Sequence, residues 1–234
     1  MVTSREGGAA REPLDRDRVL AEAVALADDE GIDGVSMRRL SGRLGVVPMA
    51  LYKHVADKDD LLAGMIDRVI AGYASAPGEM DWSRAVRARI LAARAALLEH
   101  PWLRPAIEGA VHRTPAVLGH MDALAGELAR GGLSYDLVHH AMHALGHRIW
   151  GFTPEAFSGA SSASMEGMPA PSTPEERALL EGMAARFPHI AAIAADAAMR
   201  NPGGACDEQE EFEFTLDLLL DSFARLHASG WRSR

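Results

Sequence analysis

Apolar residues recur every three or four positions along this chain, and nowhere do they alternate at period two for the length of a strand. Ala, Leu, Arg and Glu dominate the periodic segments, and they favour helix. The chain therefore reads as all-α. Its 234 residues, 48% of them apolar, can bury the core of one large domain or of two. A disordered chain lacks that apolar content. No run reaches the roughly 18 apolar residues of a membrane span, and residues 1–18 show no basic-plus-apolar leader. One cysteine, Cys206, excludes an internal disulfide framework. The expectation is a cytoplasmic protein with no membrane partner.

Capping and breaking residues divide the periodicity into elements. Asp15 is a good N-cap, with Leu14 and Val19 placed as a hydrophobic staple, and Gly31 stops the first helix. Its apolar stripe is Val19, Leu20, Ala23, Val24 and Ala27. Asp28, Asp29 and Glu30 crowd its last turn against the helix dipole, and nothing local accounts for them. Ser36 can cap a short helix to Leu44, broken by Gly45, and Pro48 can open a second short helix ending near Val55. Asp57 can cap a longer one with Leu61, Leu62, Met65, Ile66, Val69, Ile70 and Tyr73 on its apolar face. Ala74–Met80 reads as a linker. Helices are then predicted over Trp82–Glu99, Trp102–Val111, Pro115–Arg130, Ser134 to about Phe157, Thr173 toward Phe187, and Asp207–Ala228, with a loop over residues 158–172.

Two short helices joined at Gly45 form a helix-turn-helix pattern. Neither is long enough to stand alone, so Leu40, Leu44, Val46, Leu51 and Val55 must brace them against the first helix. Charge singles out the same block. The whole chain is net −9, and residues 1–60 hold nine basic against twelve acidic side chains. Between Ser36 and Lys58, however, Arg38, Arg39, Arg43, Lys53 and Lys58 face one acid, Asp57. At physiological salt the Debye length is about 8 Å, so such a patch can meet phosphate despite a distant acidic remainder. The bland alternative is a solvated basic face on a small helical subdomain.

The wording of Gly31–Leu62 is more specific. The Gly31–Ile32–Asp33–Gly34 turn, Ser36, Arg38, Leu40, Leu44–Gly45–Val46, Leu51–Tyr52–Lys53–His54, Lys58 and Leu61–Leu62 resemble the DNA-binding head of the tetracycline-repressor (TetR) family. The resemblance implies a three-helix head with Pro48–His54 as recognition helix and double-stranded DNA as partner. Ser36 and Arg38 would lie at the start of the supporting helix, and Arg38 suits a guanine edge or a phosphate. Pro48, Met49 and Ala50 would face bases as apolar contacts. Tyr52, Lys53 and His54 would meet backbone, and Lys58 would hold a phosphate at a helix N-terminus. Core packing is the alternative for Tyr52, and a capping hydrogen bond for His54.

The likeness continues through Trp82, Leu97–Leu98, His100, Gly132–Leu133–Ser134, Ala144–Leu145–Gly146–His147 and Gly151, and resembles the tetracycline repressors proper. It implies a division into a head at 14–60, a connecting helix and linker at 61–80, and a ligand-binding and dimerisation domain at 81–230. Drug-contacting positions of that subgroup fall on Ala74, Arg89, Ala93 and Leu124, and its metal-ligating histidine falls near Ala110, with His112 out of register. Recognition of a magnesium–tetracycline chelate is therefore not expected. An apolar pocket with polar anchors is, with Arg89, Trp102, His112, Met121, His139, Met142, His143 and Trp150 as candidate lining. Arg89 is either a surface residue or faces inward, where it needs an acidic partner or an anionic ligand. Trp102 and Met121 are either core or pocket.

His139, His143 and His147 recur every four residues, a spacing that can converge on a metal. No carboxylate or cysteine joins them in register, so a pocket wall or subunit interface is favoured, and no metal or cofactor is expected. No base is legible beside Cys206, so no enzyme is expected. On the last helix, Phe212, Leu216, Leu219, Phe223 and Leu226 form one stripe, with Phe214 and Leu218 on another side. A helix apolar on two sides is buried on both, which suggests a homodimer. The sequence thus implies a dimeric, effector-responsive repressor. The alternative is a ligand-binding or interaction protein with a degenerate head.

Overall fold

The computed structural model describes residues 13–73, 80–110, 113–150, 173–200 and 208–234, and every regular element among them is helical. These residues fall into two compact units: residues 1–143 with 227–234, and residues 144–226.

The first unit opens with α1 (Arg16–Glu30), whose N-cap Asp15 accepts from Arg18 N at 2.8 Å. A 3₁₀ turn (Ile32–Gly34) leads to α2 (Met37–Leu44), capped by Ser36, and then to α3 (Pro48–Leu51). Gly45 joins the two at φ 66°, a left-handed conformation that glycine adopts without the Cβ clash other residues meet. Next is α4 (Lys58–Ala71), with Asp57 accepting from Asp60 N at 2.8 Å. Val19, Ala23 and Leu26 of α1, Leu40 of α2, Leu51 and Val55, and Leu61, Met65 and Ile66 of α4 are buried as one core. Gly64 lets α1 approach α4, since a Cβ there would stand 2.7 Å from Leu20 Cδ2.

The same unit continues with α5 (Trp82–Glu99), α6 (Leu103–Gly109), α7 (Pro115–Arg130) and the first part of α8 (Tyr135–Trp150). Asp81, Thr114 and Ser134 supply side-chain caps for α5, α7 and α8. α5 and α4 both pack on α7. The C-terminal segment closes onto α8, where Asp136 accepts from the backbone and hydroxyl of Ser233, each at 2.7 Å.

The second unit holds the rest of α8, then α9 (Pro174–Arg186), α10 (Pro188–Arg200) and most of α11 (Glu208–Ala228). On α11, Phe212, Leu216, Leu220 and Phe223 are buried. The stripe thus runs through Leu220 rather than the expected Leu219, a one-residue rotation that periodicity of 3.6 does not resolve. Phe214 and Leu218, on the other side, are exposed.

The recognition helix is shorter than expected. It is α-helical only over Pro48–Leu51, after which His54 N donates to Leu51 O at 2.8 Å in a tighter turn. The His54 carbonyl accepts from Arg16 Nη1 at 2.7 Å, which fixes the chain direction toward Asp57. The expected linker at Ala74–Met80 (except Met80), the 158–172 loop and the end of the helix toward Phe157 lie outside the described residues.

Replacing Gly45 by alanine forces a side chain into the left-handed region, at a cost of roughly 1–2 kcal/mol. Thermal unfolding should show the variant melting below the parent chain while its helical circular dichroism at 20 °C (about room temperature) is unchanged.

Candidate nucleic-acid interface and effector pocket

Which of the five block cations remain available is decided by α1. Arg43 of α2 reaches Glu22 at 2.5 Å and Asp29 at 2.7 Å, and Arg39 pairs with Glu30. The hydrogen bonds that Arg43 donates to Asp29 and Glu22 raise its pKa. Asp29 and Glu30 are two of the three acids that looked misplaced at the end of α1, and they position α2. Arg38, Lys53 and Lys58 make no ion pair among the described residues, and all three are exposed.

The same block carries an exposed apolar tip. Val47, Met49 and Tyr52 are 67%, 71% and 47% exposed, and Pro48 is also exposed. Ala50 and His54 are half-buried, while Leu51 and Val55 anchor the segment inward. Tyr52 therefore does not pack in the core. Ser36 is exposed, and its Oγ accepts from Arg39 N at 3.3 Å as the cap of α2. Ser41, missed by sequence reasoning, is buried with its hydroxyl donating to Arg38 O at 2.9 Å.

Lys58 is placed by a second network. Asp60, in the first turn of α4, accepts from Arg16 at 2.7 and 3.0 Å and from Ala56 N at 2.8 Å. The Arg16 hydrogen bond, then that of Ala56, hold the Asp60 carboxyl below the usual range. The turn bearing Lys58 is thereby tied to the start of α1.

The pocket candidates do not converge as one set. His112 lies outside the described residues, and of Trp150 only its place at the end of α8 is described. Met121 is 45% exposed, His139 and His143 are exposed, and Met142 is half-buried. The His139 and His143 rings contact each other at 4.6 Å, and no group of three metal-ligating side chains occurs among the described residues. Trp102 is buried, with Nε1 donating to Asp28 Oδ1 at 2.6 Å, and His100 Nδ1 lies 2.8 Å from the same oxygen. Asp28 is the third acid of the α1 turn. None of these partners could be read from the sequence, because they lie 9 to 74 residues away.

Arg89 is the exception. It points inward on α5 between buried Val86 and Ala93, with a side chain 21% exposed. Its Nη2 stands 4.0 Å from Glu127 Oε1, while Glu127 is gripped closely by Arg130. Arg89 Nε is buried and has no acceptor among the described residues. Burial first, and then the Arg89 charge, lower the pKa of His120. Beside it Tyr73 meets the His120 ring edge-on at 5.1 Å, and burial pushes the Tyr73 phenol up to about 12. The neighbourhood is a cation with two neutral hydrogen-bonding rings.

A short capped helix, a left-handed glycine, a second short helix with an exposed apolar tip, and exposed cations without an ion pair among the described residues define a helix-turn-helix protein of the nucleic-acid-binding kind. Family models agree on both parts of the chain: the tetR family of bacterial regulatory proteins matches residues 19–65, and the tetracyclin repressor-like C-terminal domain matches residues 74–226. This chain belongs to the TetR family. The HTH-type transcriptional repressor DrrR1 of Streptomyces coeruleorubidus is 40% identical over 92 residues, which cover 38% of this chain and 34% of DrrR1. The chain thus spans only about a third of the length of the curated relatives it first matches. A possible TetR family regulator from Streptomyces coelicolor A3(2) is 30% identical, with a TM-score of 0.64 over 91% of this chain and 100% of its own. The S. coelicolor protein ActR, solved in complex with (S)-DNPA, shares the fold at 24% identity and a TM-score of 0.62, covering 91% of this chain and 98% of ActR.

The lowered Asp60 pKa carries a stability prediction. A carboxyl depressed in the folded state contributes stability above its unfolded pKa, about 3.9, and loses it as pH falls through the folded value. Asp60→Asn should therefore be less stable than the parent at pH 7, with the gap shrinking below about pH 4. Urea unfolding at both ends of that range checks it.

Proposed function

We propose that this chain is a homodimeric transcriptional repressor that binds a pseudo-palindromic operator and leaves it when a small-molecule effector binds. One observation supports this most directly: α1 neutralises Arg39 and Arg43 and leaves Arg38, Lys53 and Lys58 exposed and without an ion pair among the described residues, in the block that also exposes Met49. Phosphate contacts need cations not already satisfied by the protein. Arg38 can also read a base edge, whereas Pro48, Met49 and Ala50 can offer thymine methyls only apolar contact. Lys53 and Lys58 then position the head without specifying sequence. In this reading Tyr52 and His54 add backbone contacts, and the Ser36 hydroxyl serves as cap.

Dimerisation fits the exposed second side of α11, Phe214 and Leu218. Two heads would meet successive major grooves about 34–36 Å apart. The effector would sit within the tetracyclin repressor-like domain, with Arg89 as its polar anchor; ActR, which shares the fold, has been solved in complex with (S)-DNPA. Buried Ala93 and Leu124 at the drug-contacting positions offer nothing polar to a magnesium–tetracycline chelate. Effector binding would favour a head spacing that no longer fits two grooves, which requires different affinities for the two states.

Selection from a random duplex library, followed by titration at several salt concentrations, tests the DNA reading. The parent should enrich a two-fold symmetric site. Lys58→Ala should weaken binding to all duplexes alike and flatten the salt slope by about one unit. Enrichment of no sequence, or a Lys58→Ala effect confined to sequence preference, would contradict it. Calorimetric titration with magnesium and tetracycline should give no tight, metal-dependent binding.

A further inference from the structure

We propose that the acidic last turn of α1 is a joint that fixes the helix-turn-helix to the α5–α6 corner, with Asp28 as its positioning residue. Successive residues of a helix point about 100° apart, so three in a row can grip three directions. Asp29 and Glu30 hold Arg43 and Arg39 of α2. Asp28 turns the other way, and its Oδ1 takes the Trp102 indole N–H at 2.6 Å and faces His100 Nδ1 at 2.8 Å. A carboxylate only accepts, so the His100 proton lies on Nδ1 in this pair. One helical turn therefore holds α2, which carries unpaired Arg38, and also the corner that opens α6.

Packing links the head to this region through α4, which contacts α1 as well as α5, α6 and α7, and α1 itself does not close against α5. A groove of about 400 Å³ separates Val24 of α1 from Ala92, Ala95 and Ala96 of α5. Beside that gap, direction is set by hydrogen bonds, which weaken steeply with angle and distance. Trp102 is itself buried, in series with buried Leu103, Ala106 and Ile107 on α6. A shift of α6 therefore moves Nε1 relative to Asp28, and the fork is either made or lost. Making or losing the fork would hold the head to the corner or release it, and a two-state element of that kind can couple distant sites. Neither Asp28, His100 nor Trp102 has to touch DNA or effector.

This inference rests on the DNA-binding reading above. The test uses the full chain, with the duplex that the parent enriches from a random library and an unselected duplex as probes. Trp102→Phe keeps the ring but deletes the N–H, and Asp28→Ala deletes the acceptor. Each should reduce the ratio of selected to unselected affinity by roughly tenfold or more, the size expected of a hydrogen bond to a charged group. Asp28→Asn keeps an oxygen for the indole and should retain most of that ratio. Arg104→Gln, which breaks an exposed pair with Glu108 on α6, should leave it unchanged. In ¹⁵N–¹H spectra of the free protein, Trp102→Phe should shift backbone amides of α2 and α3 as well as those beside the corner. Shifts confined to α1 and the corner, or an unchanged affinity ratio, would show a merely local contact and overturn the joint. If Asp28→Ala does not fold, Trp102→Phe and Asp28→Asn decide between the same outcomes. A parent that prefers no duplex would remove the DNA reading and the joint together, whereas selective binding by parent and variants alike removes the joint alone.

Discussion

Helices of eight and four residues cannot form by themselves, because nucleating a helix costs more than so few hydrogen bonds return. The helix-turn-helix therefore exists only against its neighbours. Burial of Leu40, Leu51 and Val55 beside the α1 and α4 core contributes most of the energy, at roughly 1.5–3 kcal/mol for each large side chain. The exposed ion pairs of Arg39 and Arg43 contribute little by comparison. Their role is directional, since an apolar contact tolerates rotation and a bridged guanidinium does not. Energy thus comes from apolar side chains buried against α1 and α4, and orientation from the acids that end α1.

This division explains what the sequence disclosed. Local signals were reliable: Asp15, Ser36 and Asp57 cap helices as expected, because a cap needs only a partner two or three residues away. Gly45 was legible for the same reason. The end of the recognition helix was not, because its tightening at Tyr52–His54 goes with an Arg16 bond from 38 residues earlier. Leu220 replaced Leu219 in the buried stripe because neighbouring apolar residues leave the phase of a helix open by one position. The acids at the end of α1 were illegible as local features, since opposing the dipole is a local cost and their partners are all distant.

Charge shows the same limit in another form. A net charge of −9 argues against nucleic acid only if charge is spread evenly. Counting within the block found five cations, but counting cannot tell a committed cation from an available one. Folding removes Arg39 and Arg43 from the set and leaves Arg38, Lys53 and Lys58. The remaining potential is smaller and more focused than the sequence count implied, which favours dependence on shape and register over tight attachment to any phosphate backbone.

The pocket candidates divide by a similar test. Trp102 and Arg89 both place a polar group on a buried, largely apolar face, and each such group needs a partner. The Trp102 N–H has one in Asp28, so its ring belongs to the packing of the molecule. The Arg89 Nε has none among the described residues, and Glu127, its nearest acid, is already engaged by Arg130. The sequence left Arg89 as either a surface residue or an inward one, and Trp102 as either core or pocket. Satisfaction of the polar atom does separate them. Of these two inward-facing polar groups, Arg89 is the one whose hydrogen bonding an acidic or carbonyl-bearing effector would complete.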